Sequence, residues 1–132
     1  MPAERSAQPG PVRFAVLTDL HLSDVPGTAA AAALDWAVAA IGRERPDFVA
    51  VAGDATTVGT AASTARFLAA LEQVEVPVLF TPGNAELRTG EGISLLQPLT
   101  ASERRQLQWH DLSILLPDTS SGTLPAAERE WL

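Results

Sequence analysis

The stretch "DFVAVAGDATT", residues 47–57, decides how the chain folds. Phe48 to Ala52 is an uninterrupted apolar run of strand length, the pattern of a strand covered on both faces. Gly53-Asp54 breaks it with a turn dipeptide, and a polar loop follows. Similar runs flank it, "VRFAVLT" (12–18) and "VPVLFT" (76–81), and the first of these also reads as a strand covered on both faces. Between the runs lie two stretches of strong helix formers. "TAAAAALDWAVAAIGRER" (28–45) sets Leu34, Val38 and Ile41 on one helical face, and Pro46 closes the connection. "TAASTARFLAALEQV" (60–74) turns Phe67, Leu68 and Leu71 inward. Strand, helix, strand, helix, strand implies right-handed crossovers and a parallel sheet, hence an α/β fold of parallel strand–helix–strand layers.

After Gly90 the pattern changes. "GISLLQPL" predicts a helical turn. "RQLQWHDLSILLPDT" predicts a hairpin with His110-Asp111 at the turn and Leu112 to Leu116 as its second strand. "LPAAEREWL" begins a helix. Residues 1–11 are polar and Pro-rich, with no apolar core for a signal peptide, and are expected to form a flexible tail; residues 12–132 form the domain. At 132 residues and 46% hydrophobic, the chain suits one domain with a core. It contains no cysteine, so disulfides and thiolate metal sites are excluded. A net charge of −7 argues against a nucleic-acid coat held by phosphate contacts. It does not exclude a phosphate substrate, because a bound metal inverts the local field. The alanine-rich run Thr28 to Ile41 is interrupted by Asp35 and too short to span a bilayer, so no membrane partner is expected and a cytoplasmic location is.

In parallel sheets, ligands gather beyond the carboxyl ends of the strands. Those ends read "TDLHL", "GDATT" and "PGNAE", which brings together Asp19, Asp54 and Asn84 although 35 and 30 positions separate them. His21 lies two positions after Asp19, so in extended backbone both point to the same side. Singly, each has a plain reading: a cap, a solvated histidine, a turn dipeptide. Together, two carboxylates, an imidazole and an amide oxygen at neighbouring loop tips are hard ligands for a divalent metal. Two such ions activate water and neutralise a phosphoryl group. Rival signatures are missing: the chain has no Gly-x-Gly-x-x-Gly, no Walker-type Gly-Lys-Ser/Thr and no Gly-x-Ser-x-Gly elbow.

The arrangement resembles the calcineurin-like metallophosphoesterase superfamily. "LTDLHL" matches its Asp-x-His motif, "PDFVAVAGDATT" its Gly-Asp motif, and "TPGNAE" its Gly-Asn-His-Asp/Glu motif. "LLPDTSSGTLPAAEREWL" is similar to the Asp-Ser/Thr…Gly…Trp-Leu stretch of branches like the cyclic-nucleotide phosphodiesterases. The resemblance implies a metallophosphoesterase sandwich and two divalent ions, manganese, iron or zinc. Asp19 and His21 would hold the first, Asp54 would bridge, and Asn84 would hold the second. It implies hydrolysis of a phosphomonoester or phosphodiester by metal-bound hydroxide.

Two departures shape the expectation. The family's sites use further histidines, from a later lone His and a Gly-His-x-His motif, whereas this chain has only His21 and His110. His110, at a predicted turn, reads as a surface residue. The missing ligands are expected downstream of Leu132, so the sequence reads as the fold truncated after its first half, inactive by itself. Its expected partners are then a missing C-terminal half or, through an uncovered apolar face, another copy. Secondly, Ala85 replaces the motif histidine thought to protonate the leaving group or steady the transition state. Alanine does neither, and no catalytic residue is assigned. Gly83 is expected to permit the turn and Asn84 to supply an oxygen, while Glu86 supports the ligands or acts as a local cap. Arg88 can reach a substrate phosphate, against the plainer reading of a solvated arginine. Trp36 and Trp109 read as packing residues. Two functions follow: a metal-dependent phosphoesterase, incomplete as given, or a non-catalytic metal-binding or assembly module derived from that fold.

Overall fold

A computed structural model of the chain describes residues 10–132; residues 1–9 of the expected tail lie outside the described residues. The central sheet has three parallel strands in the order β1-β2-β3: Phe14–Leu17, Phe48–Ala52 and Val78–Thr81. The register pairs Leu17 with Val51 and Ala52 with Thr81, so all three strands end at one edge. Helix α1 (Ala29–Glu44) joins the first pair and α2 (Ala61–Leu71) the second. Each starts on a threonine cap that satisfies an otherwise orphaned amide. Thr28 accepts from Ala31 N and Thr60 from Ser63 N. Helix α1 stops where Arg45 turns left-handed (φ 47°), its N–H returning to the Ile41 carbonyl, and Pro46 follows.

The two faces of β2 bury separate clusters, as period-two alternation requires. Val49 and Val51 pack with Leu34, Val38 and Ile41 of α1 and with Phe67 and Leu71 of α2. The Phe67 ring meets Phe80 at 5.3 Å between centroids. Leu96, from α3 (Ile93–Thr100), closes the same cluster, so the expected helical turn is a full helix. On the opposite face Phe48, Ala50 and Leu79 lie under Leu107, Ile114 and Leu116. These belong to or adjoin the antiparallel hairpin β4 (Gln106–Trp109) and β5 (Leu112–Leu115), whose turn is His110-Asp111. The result is a layered sandwich: helices, sheet, hairpin.

Two expectations need correction. Strand β1 is covered on one face only. Ala15 and Leu17 pack inward, while Phe14 and Val16 are 53% and 55% exposed. It is an edge strand of four residues, and the hairpin packs on β2 and β3; the Phe14 ring stacks on Phe48 at 5.1 Å. Trp36 does not pack but is 68% exposed. It lies two residues past buried Leu34, about 200° around the helix at 100° per residue. Trp109 is half-buried on the hairpin.

The last helix, α4 (Ala126–Trp131), is tied down by one buried cation. Arg105, just before β4, is 5% exposed and makes a bidentate pair with Glu128, both bonds at 2.8 Å. It also donates to the carbonyls of Thr100 and Leu116 and lies 4.8 Å from the Trp131 ring centroid. Glu128 in addition accepts from Asp118 N at 3.0 Å. The hydrogen bond from Arg105 holds the Glu128 carboxyl below its ordinary value of 4.5, outweighing desolvation, with help from the Asp118 amide and the guanidinium charge. Because the folded-state value is depressed, this stabilisation is fully present above the ordinary carboxylate range. It is lost as pH falls through the lowered value. Glu128→Gln is therefore expected to be less stable at neutral pH by about 1.5–3 kcal/mol, as for a hydrogen bond to a charged group. Denaturant melts repeated from pH 7 to pH 3 should show wild type losing stability more steeply than the variant. Parallel slopes would remove Glu128 as the group responsible.

Candidate metal centre

The polar loops that leave the three strands run beside one another before diverging. Asp19 N donates to the Gly53 carbonyl (3.3 Å), His21 N to Asp54 O (3.1 Å) and Leu22 N to Ala55 O (3.0 Å), continuing the β1–β2 pairing past the strand ends. Glycines set how close the β2 and β3 loops come. Gly53 has φ 79°, and a Cβ there would sit 3.1 Å from Gly83 Cα. Gly83 itself is extended (φ −99°, ψ −179°), so the turn does not require glycine. Space does: a Cβ on Gly83 would overlap the Asp54 backbone nitrogen and side chain. The expected reason for Gly83 is thus replaced by another.

Asp19, His21 and Asp54 each offer one ligand atom, and the three atoms lie within 4.8 Å of one another. His21 Nε2 is 3.6 Å from Asp19 Oδ1. They converge, but not on extended backbone as expected. Asp19 (φ 54°), His21 (φ 51°) and Asp54 (φ 51°) all occupy the left-handed region, where non-glycine residues are uncommon. Such conformations persist where the surroundings over-determine them, and they cluster at functional sites. The Thr18 hydroxyl lies 2.9 Å from both Asp19 Oδ2 and the Ala52 carbonyl, tying Asp19 to the sheet. Asp54 Oδ1 accepts from Ala85 N at 3.1 Å, so the alanine at the histidine position of the motif contributes through its backbone.

Asn84 is exposed at the start of a short 3-10 turn, Asn84–Leu87. It shares with Asp54 the lining of an open cleft of about 450 Å³. Arg88 is exposed and donates to the Thr57 carbonyl at 3.3 Å. His110 sits exposed at the hairpin turn with φ 50°.

The organising residue is Glu86, whose sequence reading stopped at local cap or support. It is 1% exposed and accepts four hydrogen bonds. The donors are Gly83 N (2.6 Å), Asp54 N (3.1 Å), Thr56 N (2.9 Å) and Thr56 Oγ1 (3.1 Å). One carboxylate thus closes the loop after β3 and clamps the loop after β2. The reach across 32 positions to Asp54 has no sequence signal; the three-residue step from Gly83 to Glu86, as in a capping box, is the one available.

The profile of the family described as calcineurin-like phosphoesterase matches residues 12–125. The chain belongs to that family. No match was found among curated proteins. As a calcineurin-like phosphoesterase the chain falls, at the level of the family, among hydrolases that use divalent metal ions. Its donor set fits such an ion: two carboxylates and an imidazole, hard and borderline ligands, already gathered on strained backbone.

Removing the Glu86 carboxylate would leave the buried amide of Thr56 and the part-buried amides of Asp54 and Gly83 without an acceptor. Glu86→Ala is expected to lower stability by about 3–5 kcal/mol, and Glu86→Gln to cost nearly as much because its NH₂ faces N–H donors. Arg88→Ala, on the same turn but exposed, should stay within about 0.5 kcal/mol of wild type. Urea denaturation of the three variants checks this, and comparable losses at 86 and 88 would refute the role given to Glu86.

Proposed function

We propose that this calcineurin-like phosphoesterase hydrolyses a phosphomonoester or phosphodiester with divalent ions held by Asp19, His21, Asp54 and Asn84. The convergence of three ligand atoms from two strand-end loops, each on left-handed backbone, carries the reading. Asp19, His21 and Asp54 would hold one ion, and Asp54 and Asn84 would hold a second. Manganese, iron and zinc all suit these donors. When bound, the ions supply positive charge against the phosphoryl oxygens and acidify water. The chain's own contribution is orientation. The Ala85 amide holds Asp54 Oδ1, which fixes the plane of the Asp54 carboxylate. Glu86 in turn fixes the backbone on which both stand. Position 85 offers no proton, so esters whose leaving groups depart unassisted are the favoured substrates.

One observation favours a second reading, a metal-binding module without catalysis. Among the described residues the candidate metal cluster contains a single histidine. The two readings separate in one pair of assays. Calorimetric titration with manganese should show saturable binding that Asp19→Ala removes. Turnover of bis(p-nitrophenyl) phosphate is expected to be very slow, and to require both manganese and Asp54, as tested with Asp54→Asn. Manganese binding with no Asp54-dependent turnover selects the module; equal binding by wild type and Asp19→Ala refutes the metal assignment itself.

A further inference from the structure

The cleft beside Asp54 and Asn84 has a second wall from a distant part of the chain, the turn Asp118–Gly122. Thr119, Ser120 and Gly122 line it. This turn is held at every corner. Asp118 Oδ1 accepts from Ser120 N (3.0 Å) and Ser120 Oγ (2.6 Å), and Gly122 N returns to the Thr119 carbonyl (2.9 Å). Below it, the Thr81 hydroxyl at the end of β3 donates to the Pro117 carbonyl (3.0 Å), joining the turn to the strand that leads to Asn84. Behind it, Asp118 N donates to Glu128, which the buried Arg105 holds in a bidentate pair.

The chemistry of the cleft points the same way. Its lining carries one carboxylate, Asp54, and no lysine, arginine or histidine. Charge neutralisation must come from bound ions, and orientation of the ester must come from neutral donors. The Ser120 proton is committed to Asp118. Thr119 is exposed, and among the described residues its hydroxyl makes no hydrogen bond. We propose that Thr119 positions the phosphoester by donating its hydroxyl to an ester or phosphoryl oxygen opposite Asn84, and that Arg105 and Glu128 are positioning residues that hold the Thr119 turn in place. This inference rests on the metal-dependent reading above and adds to it the residue that orients the substrate.

The test separates metal from ester. Binding of manganese, and then of bis(p-nitrophenyl) phosphate at saturating manganese, is measured by calorimetry and by equilibrium dialysis. Thr119→Val removes the hydroxyl at constant shape and should weaken ester binding about three- to tenfold, the worth of one neutral hydrogen bond, with manganese affinity unchanged. Thr119→Ser, which keeps a hydroxyl, should restore it. Glu128→Gln should weaken ester binding while leaving manganese binding intact, which a loss of fold would not do. Normal manganese binding with ester affinity indifferent to Thr119→Val, or with the valine and serine variants equally weak, overturns the role of Thr119. Ester binding weakened by Thr119→Val but unmoved by Glu128→Gln overturns the positioning role of the ion pair. If wild type binds no manganese, the metal reading fails and the inference falls with it.

Discussion

A single buried carboxylate sets the geometry of this protein's polar end. A carboxylate buried like that of Glu86 needs donors around it, and here they are the backbone amides of two separate loops and the Thr56 hydroxyl. Satisfying it therefore forces the loops after β2 and β3 together. The glycines follow from that closeness. Gly53 and Gly83 face each other without side chains, and Gly59 is left-handed (φ 77°) where a Cβ would overlap the Glu86 backbone. The left-handed Asp54 sits inside the same network, its amide on Glu86 and its Oδ1 on Ala85 N. Strain at Asp54 is sustained by bonds to its neighbours.

Much of the architecture was legible because burial dictates it. A strand with both faces covered must be apolar throughout, and Phe48–Ala52 is. A helix packed on a sheet must show a stripe, and Leu34, Val38 and Ile41 form one. The carboxyl edge of a parallel sheet follows from connectivity, so Asp19, Asp54 and Asn84 could be brought to one end. What was hidden depends on neighbours rather than on local pattern. Phe14 and Val16 look like core residues, yet the hairpin does not cover β1. Left-handed backbone at Asp19 and His21 is enforced by bonds to the β2 loop, 34 and 33 positions away (53 − 19 and 54 − 21). The Arg105–Glu128 pair spans 23 positions, a reach with no local pattern to announce it.

Ala85 shows how a motif can lose a side chain and keep a function. The lost imidazole was the expected source of a proton, but the amide at the same position still orients Asp54. Backbone contributions survive any substitution except proline, so the frame of the site and its acid chemistry can change independently. The buried side chain of Ala85 belongs to the frame.

The wide spacing of the candidate ligand residues would also couple ion binding to the folding equilibrium. Asp19 and Asp54 meet only when β1 and β2 are paired, and that pairing requires α1 to have crossed over the sheet. No local fragment can present the donor set, so an ion that recognises it recognises the native state alone. Such an ion would stabilise the whole domain by mass action, by about 2.7 kcal/mol at a hundred times its dissociation constant. Metal supply would then govern how much of the protein is folded, as well as how much of it is competent.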